Sequence, residues 1–299
     1  MKTCVIFNPA ARGEKASRFR DHLGTLSAQC ALKPTYAAGA GRALASEAVR
    51  EGFELIVAAG GDGTVNEVVN GIGDEPAGFT NVCLGVLPLG TVNVFAKELG
   101  MPNNFTAAWA ILQKGREILI DLPEAEHTVA GQTQRRFFAQ MAGAGLDSRA
   151  IELVDLEQKK RIGALAYVVA GWKALRSPKP QIVVSAGQES MGGELVLVGN
   201  GRFYGGTYRL FPSADLRDGL LEVSVFPKAD WGALVRCGWG LLTDKLYTAG
   251  GVKHFQTASV HLYSASPVPF HVEGENAGFL PVHFSVRQQK LRVIAHDLF

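Results

Sequence analysis

Three short loops in the first hundred residues combine glycine with Asn, Asp and Thr in a way that suits phosphate binding. They cover residues 8–13, 60–67 and 88–93, and each follows an apolar run that predicts a buried strand. Glycine lets backbone N–H groups approach phosphate oxygens, and a helix that begins in such a loop adds a favourable partial positive charge. Because ligands of open α/β sheets bind at the carboxyl ends of the strands, the three loops are expected to line one ligand crevice.

The middle loop is the most specific of the three. It reads Gly60-Gly61-Asp62-Gly63-Thr64-Val65-Asn66-Glu67 and places three glycines around one acid, whereas a tight turn needs one or two. It lacks the Lys-Ser/Thr ending of a Walker P-loop and the GxGxxG spacing of dinucleotide-binding loops. Thr64 and Thr91 stand at predicted helix starts, where a hydroxyl can cap the helix or bind phosphate. For residues 8–13 alone, a plain turn before a helix is an equally good interpretation.

The elements around these loops predict two domains. Residues 1–122 alternate strand and helix patterns, which predicts an α/β domain with a parallel sheet covered on both faces. Residues 123–299 contain short strand patterns, several with alternating polar and apolar residues, and these predict an antiparallel β-sandwich. The sequence leaves open whether the last strand returns to the first domain.

The predicted elements have the following limits. In the first domain, strands are predicted over 3–7, 55–59, 82–87 and 118–122, and helices over 14–32, 41–51, 64–71, 92–99 and 106–113. In the second, strands are predicted over 137–141, 181–185, 194–198, 220–226, 257–263, 270–272, 282–286 and 291–294, with one long helix over 155–176.

Length and glycine content fit this organisation. The chain has 299 residues, 47% of them hydrophobic and 19% charged, and near that length a single core gives way to two domains. It contains 35 glycines, whereas average usage predicts about 21. No repeat accounts for the excess, so glycine is expected at turns and at sites of close backbone approach.

Charge, cysteine and histidine content exclude several classes of protein. The net charge of +2 argues against a nucleic-acid partner. The four cysteines form no CxxC pair and no metal-ligand spacing with histidine, which favours a reduced, cytoplasmic protein. The seven histidines, His271 among them, show no ligand spacing and receive no predicted role. The apolar stretches are too short for a signal peptide or a membrane-spanning helix.

Further segments follow the first loops in a fixed order. They are Asn8-Pro9, Pro88-Leu89-Gly90-Thr91-Val92-Asn93-Val94-Phe95-Ala96, Gly143-Ala144-Gly145-Leu146-Asp147, Asn200-Gly201, Gly205-Gly206, the run over 212–223 and Glu273-Gly274-Glu275. Together with Gly60-Gly61-Asp62-Gly63-Thr64, and along nearly the whole chain, they resemble the diacylglycerol kinase catalytic-domain family. That family includes bacterial lipid kinases, sphingosine kinases and ceramide kinases.

The resemblance implies an ATP-dependent lipid kinase whose nucleotide binds between the two domains. Its acceptor would be diacylglycerol or a related lipid, and Mg²⁺ would accompany ATP, organised by Asp62. By the same analogy, the nucleotide-binding residues are Asn8, Thr35, Gly60, Gly61, Asp62, Gly63, Thr64, Asn66, Glu67, Thr91 and Asn93. Such phosphoryl transfer depends on positioned phosphates, a divalent ion and an acceptor held in line.

Two positions depart from the family pattern. Glu273 stands where the family has the Asp of its DGE motif, the general base that would deprotonate the lipid hydroxyl. Glutamate keeps the carboxylate but is one methylene longer, and Glu275 could share or assume the role of base; an exposed acid on a β-turn is the plain alternative for Glu273. Val94 stands where the family has an acid, so any contact made by that acid is missing.

A further loop resembles the structural magnesium site of the bacterial members. Its ligands here would be Asp215, Asp218 and the backbone carbonyl of Leu220, with water completing the shell of a hard cation. A type I turn in which Asp218-Gly219 ends a hairpin loop explains the same residues equally well.

The lipid side is less sharply marked. Residues 158–161 are Gln-Lys-Lys-Arg and precede an apolar helical stripe, so a peripheral contact with an anionic membrane at its cytoplasmic face is one interpretation. Ordinary core packing of that helix is favoured over membrane docking. Trp231, Trp239 and the pair Leu241-Leu242 could line an acyl-chain cleft, although core residues are the more expected interpretation. The oligomeric state is left open, a homodimer included.

Two rival functions remain at this stage. NAD kinase resembles this family in its GGDGT loop and two-domain plan, but the Thr-Pro-Thr-Gly-Ser segment expected there is absent from this chain. A non-catalytic regulator that binds nucleotide or lipid is the second rival, and Glu273 and Val94 motivate it.

Overall fold

The computed structural model describes residues 1–9, 11, 13–153, 179–228, 232, 240, 243 and 251–296. Backbone contacts divide the chain into two units. The first comprises Met1–Leu122, Gly205–Thr207 and Arg287–Phe299, and the second comprises Pro123–Tyr204 and Tyr208–Val286. The long helix predicted over 155–176 and its basic start lie outside the described residues, as do Trp231, Trp239 and Leu241-Leu242.

The first unit contains strands and helices in alternation. They are β1 (Thr3–Phe7), α1 (Glu14–Asp21), α2 (Leu23–Ser27), β2 (Ala31–Pro34), α3 (Ala40–Arg50), β3 (Leu55–Gly60), α4 (Asp62–Gly73), α5 (Gly78–Asn81), β4 (Cys83–Pro88), α6 (Val94–Glu98) and α7 (Phe105–Lys114).

The rest of the described chain is mainly strand. Its elements are β5 (Arg116–Val129), β6 (Gln132–Phe137), β7 (Met141–Gly145), α8 (Leu146–Leu153), β8 (Ile182–Ala186), β9 (Glu189–Gly193), β10 (Leu195–Gly199), β11 (Phe203–Tyr204), β12 (Tyr208–Arg209), β13 (Leu221–Phe226), β14 (Lys253–Thr257), β15 (Ser259–Tyr263), β16 (Pro269–Val272), β17 (Glu275–Phe279) and β18 (Val282–Ala295).

A parallel sheet forms the centre of the first unit. Its strands are ordered β2, β1, β3 and β4, and the end of β18 pairs in parallel with β4 through Arg292 and Val293. Every residue of β3 and β4 is buried, as expected for parallel strands whose two faces are both covered. The last strand of the chain therefore supplies residues to the first unit, which the sequence left open.

Two antiparallel sheets build the second unit. One contains β14, β13, β10, β7, β16 and β17 in that order, and in the other β18, β15, β8 and β9 are successive neighbours. Val196 and Val223 of the first sheet share one buried cluster with Val260 and Phe284 of the second. This is the core of a β-sandwich, so the predicted fold class, an α/β domain followed by an antiparallel sandwich, is confirmed.

Several predicted boundaries in the first unit are wrong. The helix predicted over 14–32 is two shorter helices, α1 and α2, followed by β2. The short strand Ala31–Pro34 has half-buried residues, and it forms because it pairs with β1 through long-range contacts that no local pattern reveals. The strand predicted over 118–122 is part of β5, a longer strand that pairs with β6 and β18.

Boundaries in the second unit also differ from the prediction. The strand predicted over 137–141 is a break between β6 and β7, because residues 138–140 turn the chain from one sheet to the other. The run over 257–263 is split into β14 and β15, which belong to different sheets, whereas 282–286 and 291–294 join in β18. β9 and β17 were not predicted, since glycines interrupt their patterns.

No helix among the described residues is long and apolar enough to cross a membrane. Cys4, Cys30 and Cys83 carry free thiols, and burial raises the pKa of Cys4 and of Cys83 to about 12. These two thiols therefore stay protonated at neutral pH.

The packing of α3 against α4 depends on Gly71. A Cβ at this position would lie 2.1 Å from the carbonyl oxygen of Arg42 and 2.8 Å from Cβ of Ala45. We expect Gly71→Ala to lower the free energy of unfolding by about 1–3 kcal/mol, because the helices must separate to admit the methyl group. Urea denaturation measures the change.

Gly24→Ala is the matched control. It also places alanine in a helix, α2, but nothing lies within 4 Å of the added Cβ. That substitution should leave stability unchanged or raise it by roughly 0.4–1 kcal/mol. Equal effects of the two substitutions would contradict the packing described here.

Candidate active site

The Gly60–Glu67 loop joins a buried strand directly to a helix. β3 ends at Gly60, Gly61 is the N-cap of α4, and the helix begins at Asp62. A Cβ on Gly60 would lie 2.3 Å from Oγ1 of Thr64. Glycine at position 60 therefore lets Thr64 fold its hydroxyl back against the loop at the start of the helix.

The loop after β4 contacts this first loop along the backbone. The N–H groups of Leu89 and Gly90 both donate to the carbonyl oxygen of Gly60, at 3.0 and 3.2 Å. A Cβ on Gly90 would lie only 2.5 Å from Cα of Gly61. The two glycine-rich loops thus lie side by side, and the absence of side chains at positions 61 and 90 makes this approach possible.

Asp62 and Asn93 link the two loops through their side chains. Oδ1 of Asp62 accepts a hydrogen bond from the N–H of Phe95 at 3.1 Å, which caps α6. Asn93 has a left-handed backbone (φ 55°), and its Nδ2 donates to the carbonyl oxygen of Gly90 at 2.7 Å. Asn93 is 3% exposed, and its Oδ1 has no hydrogen-bond partner among the described residues. A buried acceptor without a partner beside two phosphate-type loops fits a bound ligand that supplies a donor.

Two of the predicted nucleotide contacts are occupied within the fold. The carboxylate of Glu67 accepts from the N–H groups of Gly39 and Gly41, both at 2.8 Å, and so holds the start of α3. Asn66 is buried, and its Oδ1 accepts from Nδ2 of Asn70 at 2.9 Å. These contacts stabilise the framework behind the loop.

The remaining predicted contacts of the first unit lie at the ends of strands. Asn8 is exposed directly after β1. Thr35 is buried directly after β2, and its N–H donates to Phe7 at 2.8 Å. Gly63 and Thr64 are partly exposed in the first turn of α4, and Thr91 is exposed after β4. Together with the two glycine loops, these residues mark the carboxyl ends of the parallel strands.

A lysine that the sequence did not single out lies near the segment Gly205–Thr207. Nζ of Lys97, on α6, would be 3.9 Å from a Cβ on Gly206. The segment Gly205–Thr207 belongs to the same unit, although it is more than 100 residues away in the chain. The position of Lys97, one turn after Asn93 on a helix that starts at a phosphate-type loop, is the signal that could have found it.

In the second unit, Glu273 occupies a two-residue hairpin turn between β16 and β17. Val272 and Glu275 are paired across the turn, and Glu273 and Gly274 have φ angles of 53° and 75°. Two successive positive φ values define a type I′ turn, whose first position favours Asn, Asp or Gly. Glutamate is unusual there and costs on the order of 1–2 kcal/mol in backbone strain.

The side chain of Glu273 is held by two backbone donors. Its Oε1 accepts from the N–H groups of Ala139 and Gln140, both at 2.7 Å. Those two residues lie just before β7 in the chain break that the sequence had predicted as a strand. A carboxylate bound in this way has a fixed orientation.

A histidine–aspartate pair lies next to the turn, and only the histidine of the pair is buried. Nε2 of His271 is 3.0 Å from Oδ2 of Asp147, and the N–H of Gly274 donates to Nδ1 of His271 at 3.3 Å. His271 is 1% exposed. The sequence offered no role for this histidine, because its partners lie on α8 and on a turn, 124 and 3 residues away.

Glu275, the second predicted catalytic acid, forms an ion pair with Arg136 at 2.5 Å. Its side chain is about half exposed. The structure therefore distinguishes the two acids of the Glu-Gly-Glu segment. Glu273 is anchored by the backbone, and Glu275 is paired with a cation.

The loop predicted to bind structural magnesium is a self-bonded turn. Oδ1 of Asp215 accepts from the N–H of Arg217 at 3.0 Å and lies 3.5 Å from Nε of the same residue, and Oδ1 of Asp218 accepts from the N–H of Leu220 at 2.9 Å. Burial raises the pKa of the neighbouring Glu222, and the charge of Asp218 adds to that rise. No group of three or more His, Cys, Asp or Glu side chains in the described part of the chain could hold a metal ion. Two carboxylates and a carbonyl are ligand types that a hard cation accepts. Arg217 already lies beside Asp215 and offsets its charge. The magnesium site stays a prediction.

Comparison with known proteins assigns the family. A sequence model of the diacylglycerol kinase catalytic domain matches residues 2–125, and a model of the YegS C-terminal NAD kinase beta sandwich-like domain matches residues 140–295. This chain belongs to the diacylglycerol kinase catalytic-domain family. The assignment confirms the family inferred from the order of the glycine-rich segments and identifies the chain as a lipid kinase.

Individual relatives agree with the family. The diacylglycerol kinase of Bacillus subtilis (strain 168) is 28% identical over 97% of this chain and 95% of its own length. The diacylglycerol kinase of Staphylococcus carnosus (strain TM300) is 27% identical over 97% and 93%. A crystal structure of a diacylglycerol kinase from Bacillus anthracis str. Sterne has a TM-score of 0.71 at 20% identity, over 99% of this chain and 97% of that one. A second from the same strain has a TM-score of 0.78 at 22% identity, over 100% and 98%. These two show a shared fold.

Glu67 provides a test of the nucleotide loop. We expect Glu67→Gln to lower the free energy of unfolding by about 1–3 kcal/mol in the absence of nucleotide, because one amide NH₂ must then face a backbone N–H. Urea denaturation of the unliganded protein measures this. Glu14→Gln, which removes an exposed helix ion pair with Arg18, is the control and should cost less than about 0.5 kcal/mol. If Glu67→Gln is equally harmless, the residue does not hold α3.

Proposed function

We propose that this lipid kinase transfers the γ-phosphoryl group of ATP to the hydroxyl group of diacylglycerol or a closely related lipid. The observation that carries the proposal is Glu273, whose carboxylate two backbone N–H groups hold on a strained turn. Its position in the chain matches the acid of the family's DGE motif. The relatives named diacylglycerol kinase support the choice of acceptor.

The paired glycine loops are the proposed site for the ATP phosphates. Backbone N–H groups around Gly61 and Gly90 can approach phosphate oxygens because no side chain intervenes, and α4 directs its N-terminus at this loop. The partnerless Oδ1 of Asn93 would accept a donor from the nucleotide. Lys97 would place a positive charge close to the transferred phosphates, which stabilises charge during transfer.

Asp62 is the proposed carboxylate for the magnesium that accompanies ATP. Its hydrogen bond to the N–H of Phe95 uses one of its two oxygens and fixes the side chain beside the loops. A carboxylate oxygen in this position is a ligand type that Mg²⁺ prefers. When bound, the ion would neutralise negative charge on the ATP phosphates. The residues of the two loops would hold those phosphates in one orientation.

Glu273 is the proposed general base. A carboxylate next to the acceptor hydroxyl can take its proton as the oxygen attacks phosphorus, so that the lipid oxygen–phosphorus bond forms while the bond to the leaving ADP oxygen breaks. The longer side chain of glutamate is useful here, because the carboxylate must reach the N–H groups of Ala139 and Gln140. The substitution of Asp by Glu is thus matched by local hydrogen bonds, at the expense of backbone strain in the turn.

An acceptor of this class resides in membranes, so the enzyme must reach a membrane surface. We propose that this contact is made at the cytoplasmic face, because the basic residues Lys159, Lys160 and Arg161 suit an anionic surface.

Direct phosphoryl transfer tests the function. Purified protein is incubated with ATP labelled at the γ-phosphate, Mg²⁺ and detergent-dispersed lipids: diacylglycerol, monoacylglycerol, ceramide and sphingosine. We expect label in the organic phase with diacylglycerol above the other lipids. Label in NADP when NAD is offered would support the NAD kinase alternative. ATP binding without transfer to any lipid would overturn the kinase proposal in favour of a regulator.

The two acids of the hairpin turn are separated by matched substitutions. Glu273→Gln keeps an oxygen that can accept the Ala139 and Gln140 N–H bonds but removes the base, so we expect transfer to fall by roughly 10²–10⁴-fold with ATP affinity near that of the wild type. Initial rates and equilibrium ATP binding measure the two effects.

Glu275→Gln is the control for that experiment. It removes a half-exposed ion pair with Arg136, which should cost less than about 1 kcal/mol of stability and leave most of the rate. The reverse pattern, with Glu275→Gln inactive and Glu273→Gln active, would move the base to Glu275.

A further inference from the structure

His271 lies directly opposite Gly143 across the pair formed by β16 and β7. A Cβ on Gly143 would be only 2.7 Å from Nε2 of His271, so the missing side chain makes room for the imidazole ring. The register of β16 against β17 shifts between Phe270 and His271. Such bulges commonly re-aim a side chain next to an active site, and here the ring is directed at Asp147.

The hydrogen bonds around the ring determine where its proton sits. The N–H of Gly274 can only donate, so Nδ1 of His271 must accept with its lone pair. The proton of the neutral ring is then on Nε2, which donates to Oδ2 of Asp147 at 3.0 Å. A carboxylate that accepts from one ring nitrogen fixes the tautomer and the orientation of a histidine.

We propose that Asp147 and His271 are positioning residues that hold the Glu273 turn in its reactive geometry. The chain of bonds runs from Asp147 through the imidazole to the peptide N–H of Gly274, the residue after the base. The importance of this chain of hydrogen bonds for catalysis rests on the proposed role of Glu273. The geometry of the bonds does not depend on that role.

The strain of the turn explains why such a support is needed. Glu273 has a positive φ that glutamate disfavours, so the turn would relax if the side chain alone were tethered. Ala139 and Gln140 bind the carboxylate of Glu273, and His271 accepts from the backbone N–H of Gly274. With both supports, the carboxylate and the peptide that carries it are fixed. A displacement of about 1 Å at a reacting group can cost on the order of 100-fold in rate.

Two features distinguish this arrangement from ordinary core packing. A histidine that only fills space needs no carboxylate partner, and burying the polar ring of His271, which is 1% exposed, is costly unless its nitrogens are hydrogen-bonded. The hydroxyl of Tyr204 also lies 3.5 Å from Oδ1 of Asp147, which orients the carboxylate at the far end of the chain of bonds.

The tautomer is tested first, with no reference to activity. In protein labelled with ¹⁵N at histidine, long-range ¹H–¹⁵N spectra should show His271 with a protonated Nε2 and an unprotonated Nδ1 at neutral pH. The opposite tautomer, or a doubly protonated ring, would overturn the proposal, because Nδ1 could not then accept from Gly274.

Substitutions of His271 test the consequence for the turn. Asparagine places an acceptor oxygen near the position of Nδ1, whereas alanine provides none. We expect His271→Ala to lower kcat about 10- to 100-fold, with the KM for ATP unchanged, and to shift the amide signals of Glu273 and Gly274. His271→Asn should recover most of the rate and return the Gly274 amide signal toward its wild-type position.

His261→Asn changes an exposed histidine of the same unit, one that stacks on His283, and should alter neither kcat nor the Gly274 signal. If His271→Asn is as slow as His271→Ala while both are folded, or if neither shifts the Gly274 amide, the positioning role is wrong. If the wild type transfers no phosphoryl group to lipid, the proposed function fails separately, and the tautomer and the amide shifts still decide the role of His271.

Discussion

The two hydrogen bonds that Oε1 of Glu273 accepts from backbone N–H groups constrain the path of the chain in the second unit. For Ala139 and Gln140 to bind Oε1 of Glu273, the chain must break between β6 and β7. Asn200, at the end of β10, holds that break from behind, because its Nδ2 donates to the carbonyl of Ala139 and its N–H to that of Gln140. The type I′ turn brings the acid to these donors, and the bulge in the β16–β17 pair and the missing side chain at Gly143 make room for His271 beside that turn.

In the first unit, close approach of the backbone depends on glycine as well as on hydrogen-bonded acids. Gly61 and Gly90 bring two loops so close that a Cβ at position 90 would lie 2.5 Å from Cα of Gly61, and a Cβ at position 60 would collide with the side chain of Thr64 in its own loop. The acids of the first loop bind backbone N–H groups of neighbouring elements. Asp62 accepts from the N–H of Phe95 in α6, and Glu67 accepts from the N–H of Gly39 at the start of α3. The carboxyl ends of the parallel strands therefore carry loops with few side chains, and the hydrogen bonds of Asp62 and Glu67 stabilise these loops. The close approaches at positions 60, 61 and 90 account for three of the 35 glycines in the sequence.

Local patterns predicted much of this architecture, and long-range contacts account for the rest. β3 and β4 are runs of buried residues followed by glycine, so both the strands and the loops after them were predictable. β2 has only half-buried residues and exists through pairing with β1, which a local pattern cannot reveal. Glu273 was found through its motif, but its anchors, Ala139 and Gln140, lie 134 and 133 residues away. His271 carries no signal at all until Gly143 and Asp147 are brought beside it.

The central claim is that the anchored carboxylate of Glu273 receives the proton of the lipid hydroxyl. A crystal structure of the protein with Mg²⁺, a non-hydrolysable ATP analogue and a short-chain diacylglycerol measures this most directly. The acceptor oxygen should lie about 2.6–3.2 Å from a carboxylate oxygen of Glu273, with the γ-phosphorus on its other side. An acceptor hydroxyl bonded to Glu275, or one with no carboxylate in reach, would contradict the account.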